Sequence, residues 1–193
     1  MSKKLLDYYE WQSKGSMRNT PTYANPHRHK LTESIKEFLK YMKKTDNILD
    51  VGCRDGYSLQ VFDGFGYNVV GIDVCVENLH VCKNAGLKAY WCDACDMRLF
   101  EDDSFDGMFI RHTFHQLHDA SKALEEVVRV LKGGGKVLII IPNSAELNPY
   151  ELHKFTLDGF REFIAGEGLL LKEVLLEVRE DEIWFLGEKH AID

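Results

Sequence analysis

Three aspartates, each standing where an apolar run gives out, are the residues of this sequence best placed to do chemistry. Asp50 closes Ile48-Leu49 in the stretch ILDVGCRDG, Asp73 closes VVGID, and Asp93 follows Tyr90-Trp91-Cys92. An ionised carboxylate accepts hydrogen bonds at two oxygens and donates none, so such groups suit ligand hydroxyls, amines and cations. The loop after Asp50 begins at Gly52 and ends at Gly56, where glycine permits a tight turn and close packing of the following helix. Asp73 lies 21 residues beyond Gly52. That separation lets an acid accept both hydroxyls of a ribose; a helix N-cap is the alternative reading of the same residue. An aspartate at position 93 can accept from an adenine amino group while a neighbouring backbone N–H meets the ring nitrogen.

A second set of candidates is Arg111-His112-Thr113-Phe114-His115-Gln116-Leu117-His118. Steps of three put His112 and His118 about 240° apart on a helix, and no carboxylate partner is evident, so no metal is expected there. Cys92-Asp93-Ala94-Cys95 has the spacing of half a zinc site, without a second close pair to complete it. The five cysteines are odd in number and read as reduced, buried thiols.

The elements that must position these groups follow from periodicity. Strands are expected over Asn47–Val51, Asn68–Asp73, Leu87–Cys92, Phe105–Arg111 and Lys136–Ile141. Two more, near Leu169–Val178 and Glu182–Glu188, form a hairpin across Arg179-Glu180-Asp181. A helix is expected over Tyr57–Phe65. Another carries the apolar stripe Leu31, Ile35, Phe38, Leu39 and Met42 after Pro26, and a third carries Leu124, Val127, Val128 and Leu131 before Gly133-Gly134-Gly135 ends it. Alternating strands and helices imply a parallel sheet with helices on both faces. In such sheets ligands bind beyond the carboxyl ends of the strands, where all three aspartates fall.

The 193 residues suit one compact core. A segment 1–25 precedes the domain proper, 26–193; its Tyr8, Tyr9, Trp11 and Tyr23 fold over a ligand or pad the sheet edge. The longest aliphatic stretch, Val137–Ile141, stops at Pro142, too short to cross a membrane. No secretory signal opens the chain, so a cytoplasmic location is expected. A net charge of −7 argues against a protein that coats nucleic acid. The basic cluster His27-Arg28-His29-Lys30, with Lys43-Lys44, reads as a solvated face or, alternatively, as a phosphate-binding patch.

Taken together, ILDVGCRDG, VVGID, WCDACD, DDSFDGMFIRHTFHQLHD and ALEEVVRVLKGGGKVLIIIP resemble a class I S-adenosylmethionine-dependent methyltransferase of the type 11 group. The resemblance runs over roughly residues 46–190, and LDGFREFIAGEGL resembles that family's last helix and following turn. It implies a Rossmann-like α/β fold: a seven-stranded, mostly parallel sheet with one antiparallel strand and helices on both faces. It also implies S-adenosylmethionine as cofactor. Asp50 and Gly52 would shape the methionine end, Asp73 would hold the ribose, and Asp93 with Ala94 would meet the adenine. The cofactor-binding set is then Asp50, Gly52, Cys53, Arg54, Gly56, Asp73, Val74, Asp93, Ala94 and Arg111, with His115 catalytic. The expected acceptor is a small molecule. Arg54 departs from the family, which usually has glycine there. Either its backbone keeps the loop shape, or the loop is distorted and cofactor binding suffers. Asn148-Pro149-Tyr150 is similar to an amino-methyltransferase motif but follows the fifth strand rather than the fourth, and is read as a turn.

Overall fold

The computed structural model describes residues 3–17, 27–143, 152–166 and 171–191. Its seven strands run in the order β3-β2-β1-β4-β5-β7-β6. The chain divides into two compact units, Met1–Asp93 and Ala94–Asp193.

The first unit holds helices α1 (Lys3–Met17), α2 (His27–Leu39), α3 (Tyr57–Gly64) and α4 (Val76–Asn84), and strands β1 (Asn47–Val51), β2 (Asn68–Asp73) and β3 (Ala89–Trp91). The strands pair in parallel, with Asp50 opposite Gly71 and Asp73 opposite Trp91. Parallel strands sandwiched by helices must be apolar on both faces. Ile48, Leu49, Val51 and Ile72 are accordingly buried. The stripe on α2 is core: Ile35 and Phe38 are buried, and Phe38 meets Phe62 of α3 edge-on, with ring centroids 6.4 Å apart. Met42, beyond the helix end, is buried with them.

The second unit holds β4 (Phe105–Arg111), a single 3-10 turn (Phe114–Gln116), α5 (Ala120–Val130), β5 (Leu131–Pro142), α6 (Leu157–Gly166), β6 (Leu171–Arg179) and β7 (Glu182–Lys189). Strands β4 and β5 are parallel, whereas β7 runs antiparallel to both β5 and β6. The expected fold, mostly parallel with one reversed strand, is the fold observed. Asp119 caps α5 by accepting from the Lys122 N–H at 3.0 Å, and Ala120, Ala123, Leu124, Val127 and Val130 form its buried face. The closing hairpin turns over Glu180-Asp181 as expected, with Arg179 paired to Glu182 and Glu180 at φ 55°.

Two expectations require correction. The triple glycine does not end α5: the helix stops at Val130, and Gly133-Gly134-Gly135 lies inside β5. Leu131 turns extended (φ −80°, ψ 132°), and its carbonyl accepts from Lys189 Nζ at 2.6 Å. The glycines occupy a register shift against β4, between the Phe105–Leu131 and Gly107–Lys136 pairs, where Gly134 adopts φ 77°. Strand β3 is also shorter than expected, because the Leu87 N–H is spent on the Cys82 carbonyl at the end of α4. Tyr23, Pro26 and Asn148-Pro149-Tyr150 lie outside the described residues. Among the described residues, no helix is long and apolar enough to cross a membrane.

Candidate cofactor-binding site

In the first unit the loop after β1 is a run of left-handed residues: Gly52 at φ 78°, Arg54 at 54° and Gly56 at 82°. The Gly52 and Cys53 N–H groups both donate to the Ile72 carbonyl, at 2.8 and 3.0 Å, and the Gly56 N–H closes the turn on the Cys53 carbonyl at 3.0 Å. Gly56 is required twice over. A Cβ there would stand 2.5 Å from Leu87 Cδ1 and 2.9 Å from Cys82 Sγ, in a conformation that L side chains rarely adopt. A Cβ on Gly71 of the adjacent strand would overlap Cys53, 2.6 Å from its sulfur.

Asp73 ties this loop to the next helix. Its Oδ2 accepts from the Arg54 N–H and its Oδ1 from the Cys75 N–H, both at 2.8 Å. Asp73 is not the N-cap of α4, which is Cys75; one of its oxygens holds the residue that opens the helix and the other holds the loop. Arg54 keeps the turn that glycine would make. A left-handed L-residue costs roughly 1–2 kcal/mol, here offset by bonds at both of its backbone groups. Its N–H goes to Asp73, and its carbonyl accepts from the Cys82 thiol at 3.2 Å. The Arg54 side chain is half-buried.

Two buried carboxylates of this unit, Asp50 and Asp73, lean toward protonation. Burial pushes Asp50 up to about 7; the Ser58 hydroxyl, donating to it, resists the rise, and the charge of Asp73 adds to it. Burial raises Asp73 as well, against the pull of the Cys75 and Arg54 N–H groups and the Asn78 side chain. Buried acids whose hydrogen-bond donors are neutral favour an incoming cation or hydroxyl. Such acceptors fit the ammonium and the ribose hydroxyls that an adenosyl cofactor would present. Asp93, buried at the end of β3, accepts from the Tyr9 hydroxyl of α1 at 2.7 Å. The Tyr9 ring meets Trp91 edge-on at 5.4 Å, and Trp91 Nε1 donates to the Val74 carbonyl at 3.0 Å. Asp50, Gly52, Cys53, Arg54, Gly56, Asp73, Val74 and Asp93 therefore lie on or beside three successive strand ends of one unit.

The second unit holds Ala94, Arg111 and His115. Ala94 is buried. Arg111 spends its guanidinium inside the protein: Nη2 donates to Glu182 Oε1 at 2.5 Å, with both side chains 9% exposed. His112 Nε2 meets the same oxygen at 2.7 Å, and Trp184 Nε1 donates to Oε2 at 3.2 Å. Burial raises Glu182, but His112, Arg111 and Trp184 outweigh it and hold the carboxyl below its ordinary range. Burial lowers Arg111, and Glu182 opposes that. His115 is buried, and burial, followed by the charges of His112 and His153, pushes its imidazole down to about 3. It is therefore neutral near pH 7 and a weak base. No disulfide joins the five buried cysteines.

Sequence reasoning missed Ser58, Glu182 and Trp184, and left Tyr9 undecided. The Tyr9–Asp93 and Arg111–Glu182 bonds span 84 and 71 residues, so local spacing carries no signal of either.

Residues 49–139 match the family model described as "Methyltransferase domain". Among curated proteins the chain is similar to Phosphoethanolamine N-methyltransferase 2 of Caenorhabditis elegans, 29% identical over 177 residues that cover 88% of this chain and 37% of that protein. It is also 29% identical over 126 residues to Probable tRNA methyltransferase 9B of Homo sapiens, covering 64% of this chain and 27% of that protein. The chain thus spans about a third of the length of these relatives. A solved structure of Burkholderia thailandensis 1,6-didemethyltoxoflavin-N1-methyltransferase, with 1,6-didemethyltoxoflavin and S-adenosylhomocysteine bound, superposes with a TM-score of 0.73 at 15% identity, covering 96% of this chain and 86% of that one. Residues 49–139 are thus similar to a methyltransferase domain, and the chain shares the fold of S-adenosylmethionine-dependent methyltransferases.

Proposed function

We propose that the chain binds S-adenosylmethionine and transfers its methyl group to an oxygen, nitrogen or carbon atom of a small-molecule acceptor. The observation that carries this reading is the loop Gly52–Gly56, with left-handed residues at both ends, bound through Arg54 to Asp73 on β2, with Asp50 on β1 to one side and Asp93 beyond β3 to the other. In this reading Asp50 meets the cofactor's ammonium end together with Gly52, Cys53, Arg54 and Gly56. Asp73 and Val74 serve the ribose, and Asp93 with Ala94 serves the adenine. The bound cofactor supplies a methyl group on a sulfonium, and the carbon–sulfur bond breaks with its electron pair left on sulfur.

Such a transfer needs a desolvated, aligned acceptor more than it needs a base. We assign His115 to acceptor contact, since a neutral imidazole this weakly basic holds a proton poorly near pH 7. Arg111 is assigned to holding Glu182 in place rather than to the cofactor. A silent binding module is less favoured, because the loop keeps its shape around Arg54.

Calorimetry with S-adenosylmethionine and S-adenosylhomocysteine tests this reading. Micromolar binding of both is expected, and no binding of either at millimolar concentration would overturn it. A nucleic-acid acceptor is the second reading, favoured by the name of the human relative and by the basic residues Arg28, His29 and Lys30. Against it stands the net charge of −7. Acceptor binding that falls steeply with added salt would favour this second reading.

A further inference from the structure

We propose that Tyr9 is a positioning residue for adenine recognition, and that α1 thereby covers the adenine end of the cofactor site. The inference rests on the reading above, in which Asp93 receives the adenine amino group. Its foundation is the 2.7 Å bond from the Tyr9 hydroxyl to Asp93 Oδ2, made by a half-buried tyrosine on α1 to a buried carboxylate 84 positions away.

A carboxylate accepts several donors at once, so a ligand amine need not displace this hydroxyl. What the hydroxyl does is fix the plane of the Asp93 carboxyl. A carboxyl free to rotate about its last torsion would have to be ordered when the ligand arrives, at an entropic cost that reduces affinity. Tyr9 meets that requirement beforehand. Its ring is itself fixed, edge-on to Trp91 and 5.5 Å from Tyr8. Trp91 in turn donates to the carbonyl of Val74, immediately after the ribose-side Asp73. A chain of three side chains therefore links α1 to two consecutive strand ends.

Coupling of this kind runs in both directions. If docked α1 favours the cofactor, the cofactor favours docked α1 by the same free energy. Residues 3–11 of α1, already docked, are then held more tightly when the ligand is bound, which makes the helix a cover that responds to occupancy rather than padding for the sheet edge.

The test compares two probes: S-adenosylhomocysteine and S-inosylhomocysteine, whose hypoxanthine presents a carbonyl where adenine presents an amino group. The wild-type chain is expected to prefer the adenosyl compound. Tyr9→Phe should weaken that compound roughly five- to tenfold and the inosyl compound little, so the preference shrinks. In an Asp93→Ala background the same substitution should have no further effect. Slower amide exchange over residues 3–11 with S-adenosylhomocysteine is expected in the wild type. Equal weakening of both probes would reduce Tyr9 to packing and overturn the inference, as would an unchanged preference or exchange in α1 indifferent to ligand. Wild-type chain that binds neither probe would overturn the cofactor reading as well, which separates the two failures.

Discussion

Asp50 and Asp73 of the first unit and Glu182 of the second are held in opposite ways. In the first, Asp50 and Asp73 are bound by neutral donors, a serine hydroxyl and backbone N–H groups, and both are displaced toward the protonated form. In the second, Glu182 sits between a guanidinium, an imidazole and an indole N–H, and is displaced toward the ionised form. The second cluster supplies its own countercharge. The first does not, and an electrostatic deficit at a row of strand ends is what a site for a cationic nucleoside derivative requires. Burial alone therefore does not mark a binding group; what matters is whether its partners neutralise it.

The largest expected effect comes from breaking the self-sufficient side. Glu182→Ala leaves Arg111 buried without its countercharge and should cost about 3–5 kcal/mol of stability, read by denaturant unfolding. A loss below about 1 kcal/mol would show that the cluster does not balance its charge as described. Next, Asp73→Asn removes the charge but keeps the shape. It should weaken S-adenosylhomocysteine at least about tenfold, near 1.4 kcal/mol, with unfolding measured in parallel to separate loop damage from ligand loss.

The contrast also has a pH signature. Folded Asp50 titrates at about 7, well above its unfolded value, so its stabilising contribution is complete below that unfolded value and is lost as pH rises through about 7. His115 behaves in the reverse sense: lowered to about 3 from 6.5, it contributes stability above pH 6.5 that is lost as pH falls toward 3. Because the ligand's ammonium group favours ionised Asp50, affinity for S-adenosylhomocysteine should rise several-fold between pH 6 and 8, and Asp50→Asn should flatten that rise. The smallest effect is Arg54→Gly, which relieves a left-handed L-residue and should stabilise the fold by about 0.5–1 kcal/mol in thermal unfolding. Destabilisation instead would mean that the arginine side chain, and not only its backbone, supports the loop.

Much of this was legible in the sequence, and the reason is local. β1, β2 and β4 begin and end where the apolar runs do, because buried parallel strands admit little else. Asp50, Asp73 and Asp93 could be placed because chain order puts each at the end of its strand. The triple glycine misled because its composition suits a helix stop as well as a strand irregularity, and only the pairing of β5 with β4 decides between them. The pairings of Glu182 with Arg111 and of Tyr9 with Asp93 were not legible. Each joins residues far apart along the chain, and nothing in the surrounding residues records that meeting.

The fit of Cys53 against Gly71 has an evolutionary consequence. The Cys53 side chain, with a Leu59 methyl, occupies the volume that any side chain at position 71 would need, so Gly71 cannot gain one while they stay. A bulkier group in the turn demands that the neighbouring strand stay bare at that point, and a strand that acquires a methyl demands a smaller turn. Descendants of this chain are therefore expected to change the two positions in concert, and to inherit loop and strand as a single heritable module.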